Sequence, residues 1–231
     1  MKILVFDSGI GGIPIANSIH NKIPNIDIIY YQDTLNNPYG NKTDEELKKI
    51  TTNIVDYAKD NNINFIVIAC NTATTRCMKY LKEKYPDITF VGTVPAIKVA
   101  LDKNYKNILV IGTEPTIKSN RIQEIINDNK KDNQNIYLKS LNGLANAIET
   151  NNKDKIDEIL NSELKEYLNK EIDSIVLGCT HYYYIKDKLK NYFKDIDILD
   201  GNNGVVNQVN RLLDDNLDKN YNGKLEILVN K

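Results

Sequence analysis

Short apolar runs, rich in β-branched residues, recur along the chain between longer polar stretches. Runs of this length between turn-forming residues are typical of strands buried on both faces, since a buried helix needs a longer segment. The predicted strands are Ile3–Phe6, Ile26–Tyr31, Phe65–Ala69, Thr89–Val91, Ile108–Ile111, Ile136–Leu138, Ile175–Leu177, Ile196–Leu199 and Leu225–Val229.

The polar stretches carry apolar residues at mixed spacings of three and four, as in the segments Leu47–Ala58 and Ile156–Leu168. This spacing predicts helices that bury one face against a sheet and leave a charged face in water. Strands alternating with helices indicate βαβ units and mainly parallel sheets. We therefore predict an α/β fold of the doubly wound type.

An internal repeat suggests two similar halves. The segment Ile3–Asp7 resembles Ile108–Gly112, 105 residues later (3 to 108), and the segment ending at Cys70 resembles the one ending at Cys179, 109 residues later (70 to 179). Nearly equal offsets favour two α/β domains related by a pseudo-twofold axis, with the active site in the cleft between them. The alternative is that any two α/β strands look alike.

The expected first domain is 1–95 plus 210–231, carrying Asp7 and Cys70, and the second is 96–209, carrying Cys179 and His181. Pro95 marks the crossover because proline stops strand pairing. We expect the strand Leu225–Val229 to return to the first domain.

Cys70 and Cys179 each end a buried apolar run and stand where a helix is expected to begin. The backbone N–H groups and the dipole of a helix N-terminus stabilise a thiolate, which a base or nucleophile requires. A lone cysteine at a strand end is usually a small buried hydrophobe, but two in matching positions favour function. Cys77 lies two helical turns beyond Cys70 and is interpreted as a core residue.

Three further segments carry candidate chemistry. The glycine-rich turn from Asp7 to Gly12 can bind a carboxylate or phosphate with its backbone N–H groups. The spacing of its glycines matches neither a dinucleotide fingerprint nor a P-loop. Asp7 itself is either catalytic or a turn cap. His181 can exchange a proton with Cys179 or be purely structural. The turn Pro38–Gly40 can place amides and a phenol over a ligand or be a simple loop.

The amino-acid composition limits the classes of molecule that the protein is expected to bind. The 231 residues are 41% hydrophobic and carry a formal charge of −1, so no positive field exists to hold nucleic acid or an anionic membrane. The partner is therefore expected to be a small molecule. The N-terminal apolar run is too short for a signal peptide, and three cysteines form no disulfide framework, so we expect a cytoplasmic protein. Paired Cys-x-x-Cys or His-x-x-x-His spacing is absent, so no metal site is predicted.

Taken in order from residue 3 to about residue 210, the motifs resemble those of glutamate racemases. The two cysteine motifs are the specific part of this resemblance. The matching segments are Phe6–Gly12, Asp33-Thr34, Pro38-Tyr39-Gly40, Ala69–Ala73, Val94–Lys98, Ile111–Thr113 with Thr116 and Ser119, and Leu177–Tyr182 with its Gly-Cys-Thr-His sequence.

The resemblance implies two α/β domains and cofactor-independent interconversion of L- and D-glutamate, supplying D-glutamate for peptidoglycan. It also implies that Cys70, supported by Asp7, removes the α-proton of D-glutamate. Cys179, supported by His181, would act on L-glutamate. The residues implied in substrate binding are Asp7, Ser8, Pro38, Tyr39, Gly40, Cys70, Asn71, Thr72, Thr116, Cys179, Thr180 and His181.

Three departures from the family pattern keep alternatives open. Tyr137–Gly143 stands where the family carries a Val-Glu-Glu-Gly-like segment, Asp200–Asn203 differs from the usual Asp-Ser/Gly-Ala, and the helix expected after the last strand is missing. One alternative is a racemase of the same superfamily acting on aspartate or another amino acid. Another is a catalytically retired protein that only binds amino acids. The oligomeric state is left open, with a homodimer as one alternative.

Overall fold

Strands and helices alternate along the computed structural model, which describes residues 1–194, 196–213 and 217–230. The strands are β1 (Lys2–Asp7), β2 (Asp27–Gln32), β3 (Phe65–Ile68), β4 (Thr89–Gly92), β5 (Asn107–Gly112), β6 (Asn135–Ser140), β7 (Ser174–Gly178), β8 (Asp197–Leu199) and β9 (Leu225–Val229). The helices are α1 (Ile13–Lys22), α2 (Asp44–Asp60), α3 (Asn71–Lys84), α4 (Ile97–Asp102), α5 (Glu114–Ile117), α6 (Asn120–Asn129), α7 (Leu144–Glu149), α8 (Lys153–Glu163), α9 (Lys186–Phe193) and α10 (Asn202–Leu212).

The strands form two parallel sheets, which confirms the predicted α/β class. Among the described residues the first sheet has five strands in the order β4-β3-β1-β2-β9, and the second has four in the order β6-β5-β7-β8. The connected strands β3-β1-β2 and β7-β5-β6 follow the same order, so both sheets share the arrangement that the sequence repeat indicates.

Each sheet is covered on both faces, as expected of a doubly wound fold. In β1, Ile3 and Val5 pack into one core cluster while Leu4 and Phe6 pack into another, because successive side chains of a strand point to opposite faces. β5 behaves likewise, with Val110 in one cluster and Leu109 in the other. Burial on both faces explains the continuous apolar runs from which the strands were predicted.

The chain divides into two compact units, Met1–Thr93 with Asn202–Lys231, and Val94–Gly201. The crossover lies near Pro95, where the proline suggested it. The expected boundary between 209 and 210 would cut α10, but this helix belongs wholly to the first unit. Val205, Val206 and Val209 of α10 are buried in the same core cluster as Ile15 and Ile19 of α1.

The last strand returns to the first unit, as predicted. β9 pairs in parallel with β2, with Leu225 opposite Ile28 and Val229 opposite Gln32. The approach to β9 is tight at Gly223, whose N–H donates to the Pro24 carbonyl at 2.7 Å. A Cβ atom on Gly223 would lie 1.9 Å from the Ile26 carbonyl oxygen, so the close approach requires glycine.

Helix α8 is shorter than its apolar spacing predicts. It ends at Glu163, and Lys165–Tyr167 form a 3-10 turn instead of continuing to Leu168. The tighter turn buries Leu164 and Tyr167 in the core of the second unit and leaves Leu168 exposed. None of the helices in the described ranges has the length and apolar character needed to cross a membrane.

Candidate active site

Asp7 and Cys70 emerge at the same edge of the first sheet. Asp7 ends β1, and Cys70 follows the neighbouring strand β3, with Phe6 opposite Ile68 in the parallel register. The ladder continues beyond the strand, since the Ala69 N–H donates to the Phe6 carbonyl at 2.8 Å. Both side chains are buried. The predicted residues of this unit (Asp7, Ser8, Pro38, Tyr39, Gly40, Cys70, Asn71 and Thr72) are called the first half-site below.

The glycine-rich turn closes tightly over Asp7. The N–H of Ser8, the first residue after Asp7, donates to Oδ1 of Asp7 at 2.7 Å. A Cβ on Gly12 would lie 2.9 Å from the Cβ of Asp7 and equally close to the Tyr30 ring, so glycine is needed for this packing. The bond from Ser8 and the packing of Gly12 hold the carboxylate at the end of β1.

Cys70 stands at the start of α3, as predicted. It is the N-cap residue of that helix, and the Thr74 N–H donates to its carbonyl oxygen at 2.9 Å. The N-terminus of a 14-residue helix, which is the positive end of the helix dipole, therefore lies at Cys70. Beside it, Oδ1 of Asn71 is buried and has no hydrogen-bond partner among the described residues. A ligand with an N–H donor would satisfy this oxygen.

Tyr39 is oriented differently from the expectation that its phenol covers a ligand. Its side chain is 1% exposed, and its hydroxyl donates to Oδ2 of Asp33 at 2.7 Å. Burial raises the pKa of Tyr39 well above its usual value, and the negative charges of Asp33, Cys70 and Asp7 raise it further. The phenol is therefore neutral and points inward, so the turn Pro38–Gly40 can offer a ligand its backbone but not this hydroxyl.

The second unit repeats the arrangement with β5 and β7. Gly112 lies opposite Gly178 in the parallel register, so Cys179 and the short helix α5, which carries Thr116, both follow strands that end at the same edge of the sheet. The strands approach closely here, because a Cβ on Gly178 would lie 3.0 Å from the Ile111 carbonyl oxygen. Thr116 is fully buried, with its hydroxyl 3.0 Å from that of Thr113. Thr116, Cys179, Thr180 and His181 form the second half-site.

A helix begins after Cys179, as predicted, and it is a 3-10 helix. Cys179 caps a 3-10 helix, Thr180–Ile185, and the Tyr182 N–H donates to its carbonyl at 3.1 Å. The chain is held in this tighter form by Tyr182, a fully buried residue whose hydroxyl donates to the Leu141 carbonyl at 3.1 Å. Burial raises the pKa of Tyr182 well above its usual value, and the charge of Cys179 adds to this effect.

His181 is bonded to a carboxylate that the sequence did not reveal. Its Nε2 atom lies 2.7 Å from Oε2 of Glu149, the last residue of α7. Both side chains are shielded, with 3% and 11% of their surfaces exposed. A carboxylate at this distance fixes the orientation of the ring. The spacing of Leu144, Ala147 and Ile148 could have indicated a helix ending at Glu149, but not its partner.

The segment Tyr137–Gly143, which lacks the acidic residues of the family pattern, has a structural role. Its first part belongs to β6, and the Leu141 carbonyl accepts from Tyr182. Gly143 then takes a left-handed conformation with φ of 80° and precedes α7. The carboxylate next to His181 therefore comes from Glu149 at the far end of α7.

Two other residues singled out by their chemistry lie outside the half-sites. Cys77 is fully buried in the core cluster of the first unit, which confirms its interpretation, and burial raises the pKa of its thiol. His20 lies in the last turn of α1. Within the described ranges, no group of three or more His, Cys, Asp or Glu side chains is arranged to hold a metal ion.

Comparison with known proteins identifies the family. The model of the family described as Asp/Glu/Hydantoin racemase matches residues 17–209. The chain belongs to the Asp/Glu/Hydantoin racemase family. It is therefore an amino-acid racemase, as the motifs predicted. The family match includes both cysteine motifs.

Relatives and solved structures of this racemase family extend the match over nearly the whole chain. The glutamate racemase of Clostridium novyi is 36% identical over 228 residues, covering 97% of this chain and 88% of its own. That of Clostridium acetobutylicum is 35% identical, covering 91% and 83%. The structure of the Campylobacter jejuni glutamate racemase aligns with a TM-score of 0.83 at 27% identity, covering 100% and 93%. A Francisella tularensis glutamate racemase, solved in complex with D-glutamate, aligns with a TM-score of 0.83 at 28% identity, covering 99% and 87%.

Proposed function

We propose that the protein interconverts L- and D-glutamate without a cofactor, using Cys70 and Cys179 as its two acid–base groups. Inverting the α-carbon by proton transfer passes through a planar carbanion. One group must remove the proton from one face, and another must deliver a proton to the opposite face. Two thiols in matching positions supply that pair.

The observation that carries this proposal is the repeated placement of each thiol. Cys70 and Cys179 both follow the strand adjacent to the first strand of their sheet, at its carboxyl edge. Each has a proton-handling neighbour nearby in the chain or fold: Asp7 for Cys70, and His181 for Cys179. A cysteine with a purely structural role does not require an acid–base residue such as Asp7 or His181 beside it.

We propose distinct roles for the two half-sites. Cys70, supported by Asp7, removes the α-proton of D-glutamate, and Cys179 then protonates the opposite face. In the reverse direction Cys179, supported by His181 and through it by Glu149, removes the proton of L-glutamate. The hydrogen bond at 2.7 Å between His181 and Glu149 supports this assignment, because a fixed imidazolium can deliver and recover a proton reproducibly.

The remaining residues of the half-sites are proposed to bind the substrate. The Asn71 side chain is suited to the α-ammonium group, because its buried oxygen accepts hydrogen bonds. Ser8, Thr72, Thr116 and Thr180 offer hydroxyl or amide donors to carboxylates. The turn Pro38–Gly40 is proposed to contribute backbone N–H groups, since the Tyr39 hydroxyl is already donated to Asp33.

We further propose a cytoplasmic setting in which the product D-glutamate is used for peptidoglycan. The free cysteines Cys70, Cys77 and Cys179 are compatible with a reducing compartment, which keeps both acid–base groups as thiols. The curated relatives support the substrate, since those from Clostridium novyi and Clostridium acetobutylicum are both named glutamate racemase.

The substrate is tested by circular dichroism on a panel of single enantiomers that includes glutamate, aspartate, glutamine and alanine. The purified chain, in chelator and without added pyridoxal phosphate, is expected to racemise both glutamate enantiomers. Glutamine and alanine should react at least about 10²-fold more slowly, because they lack the side-chain carboxylate and leave its donors unpaired. Aspartate should also react more slowly, because its side chain is one methylene shorter and its carboxylate does not reach the same donors. Faster turnover of aspartate would overturn the assignment of substrate, and a requirement for pyridoxal phosphate would overturn the mechanism.

A further inference from the structure

Asp33 is a fully buried carboxylate whose oxygens are shared among three donors. Oδ2 accepts from the Tyr39 hydroxyl at 2.7 Å, and the Asn36 amide contacts both oxygens at 2.9 and 3.0 Å. Oδ1 also accepts from Nδ2 of Asn230 at 2.7 Å. A buried carboxylate needs such donors, since burial without them is costly.

Asn230 reaches Asp33 from the opposite end of the chain. It follows β9, and the sheet ladder fixes its backbone on both sides: its N–H donates to the Gln32 carbonyl at 2.8 Å, and its carbonyl accepts from the Leu35 N–H at 3.0 Å. The backbone is therefore held against the end of β2, and the side-chain amide is aimed at the carboxylate. Both Asn36 and Tyr39 come from the loop that Asp33 begins, whereas Asn230 is anchored in the sheet.

We propose that Asn230 is a positioning residue for the substrate-binding turn Pro38–Gly40, acting through Asp33. Its amide fixes Oδ1, which leaves Oδ2 directed at the Tyr39 hydroxyl. Tyr39 is the buried side chain of this turn, so its hydrogen bond sets where the backbone of Pro38 and Gly40 lies. The proposal rests on the proposed function insofar as this turn binds glutamate.

Kinetics of the full-length chain test the proposal. Asn230→Ala is expected to raise KM for both glutamate enantiomers about three- to tenfold, less than the full effect of losing a hydrogen bond to a charged group, because Asn230 acts on the turn only through Asp33. The kcat values should stay within about twofold, because the turn binds the ground state and transition state alike. Asn53→Ala is the matched control, since this exposed asparagine of α2 lines the same surface cavity as Asp33 and Asn230.

The isosteric variant Asn230→Asp separates positioning from space filling. It retains the side-chain volume but sets a carboxylate against that of Asp33, and like charges this close repel. Its KM should therefore rise more than that of Asn230→Ala, by over about tenfold. If Asn230 only filled space, Asn230→Asp would be the milder variant, and that order would overturn the proposal.

A readout independent of turnover keeps this proposal distinct from the proposed function. The ring 13Cζ resonance of Tyr39, assigned by its loss in Tyr39→Phe, should shift in Asn230→Ala and stay unchanged in Asn53→Ala. If the unmodified chain fails to racemise glutamate, the proposed function is refuted. The Tyr39 resonance then still tests whether Asn230 positions Tyr39 through Asp33. Three results for Asn230→Ala would each overturn the role of Asn230. They are an unchanged Tyr39 resonance, a KM within twofold of the parent value, and a fall in kcat and melting temperature with unchanged KM.

Discussion

The Nε2 atom of His181 lies 2.7 Å from Oε2 of Glu149, across 32 residues of sequence. The carboxylate comes from the end of α7 and the imidazole from the 3-10 helix after Cys179. Both groups are shielded from water, so their attraction is weakly screened. The pair fixes which ring nitrogen faces Glu149 and thereby the direction in which the other nitrogen points.

Replacing Glu149 by Gln tests how much the negative charge of Glu149 contributes to catalysis. Glu149→Gln keeps the side-chain shape but no longer stabilises the imidazolium, so kcat/KM should fall about 10- to 10²-fold, less than a whole acid–base group supplies. The fall should be equal in both directions, since two enantiomers have the same free energy. Steady-state kinetics from each enantiomer measure it.

The matched control for this variant is Glu158→Gln. Glu158 is an exposed glutamate of α8 paired with Lys155, and its loss should leave kcat/KM unchanged. Equal losses in both variants, or a melting temperature that falls in step with activity, would contradict the role given to Glu149.

Cys77 serves as a comparison for the two proposed catalytic cysteines, because its thiol only packs in the core. Cys77→Ala should retain turnover within about twofold, because this side chain of α3 packs in a core cluster with buried residues of α2. Deleting a buried sulfur leaves a small cavity, so the free energy of unfolding should drop by about 1 kcal/mol. Urea denaturation measures the loss. An inactive but folded Cys77→Ala would show that the chemistry is not confined to the two proposed cysteines.

The return of the last strand depends on Gly223. Gly223→Ala would place a methyl group 1.9 Å from a backbone oxygen of Ile26, and backbone atoms cannot rotate away. The free energy of unfolding is expected to fall by about 1–3 kcal/mol, as for other overpacked sites. Gly204→Ala in α10 is the control, since nothing lies within 4 Å of a Cβ there. Equal stability of the two variants would refute this account of β9.

Asp27 gives the fold a dependence on acid pH. Burial alone would raise the pKa of this carboxyl, but hydrogen bonds from the Lys224 N–H and the Tyr221 hydroxyl bring it below the usual 3.8. A pKa that is lower in the folded state stabilises the fold above pH 3.8, and this stabilisation is lost as the pH falls through the folded-state pKa.

The corresponding experiment compares Asp27→Asn with the parent chain by urea denaturation at several pH values. The variant should be less stable at pH 7, and the difference should shrink below pH 3.8, where the parent carboxyl is also protonated. A difference that stays constant across the acid range would mean that the charge of Asp27 does not contribute.

The strands were predictable because their signal is local. β3 and β7 are continuous apolar runs, and a strand buried on both faces requires such a run wherever it occurs. The alignment of these two runs also predicts matching positions for Cys70 and Cys179 at the ends of their strands. The glycine-rich turn was equally readable, since close packing at Gly12 excludes any side chain.

The features that the sequence did not reveal depend on contacts between distant segments. The link from His181 to Glu149 depends on how α7 packs, and the inward turn of the Tyr39 phenol depends on the buried acceptor Asp33. The expected boundary between 209 and 210 falls inside α10 for the same reason, since only the structure shows that Val205 and Val209 enter the core of the first unit.

Deuterium transfer from solvent tests the two-thiol mechanism most directly. Each glutamate enantiomer is converted in D2O by the parent chain, Cys70→Ser and Cys179→Ser, and Cα labelling is followed by NMR at low conversion. With the parent chain, the newly formed enantiomer should carry deuterium while the remaining substrate stays protonated, because a different group delivers the second proton. Both serine variants should form no opposite enantiomer. Product that retains the substrate proton, or deuterated product formed by either variant at the parent rate, would contradict the account.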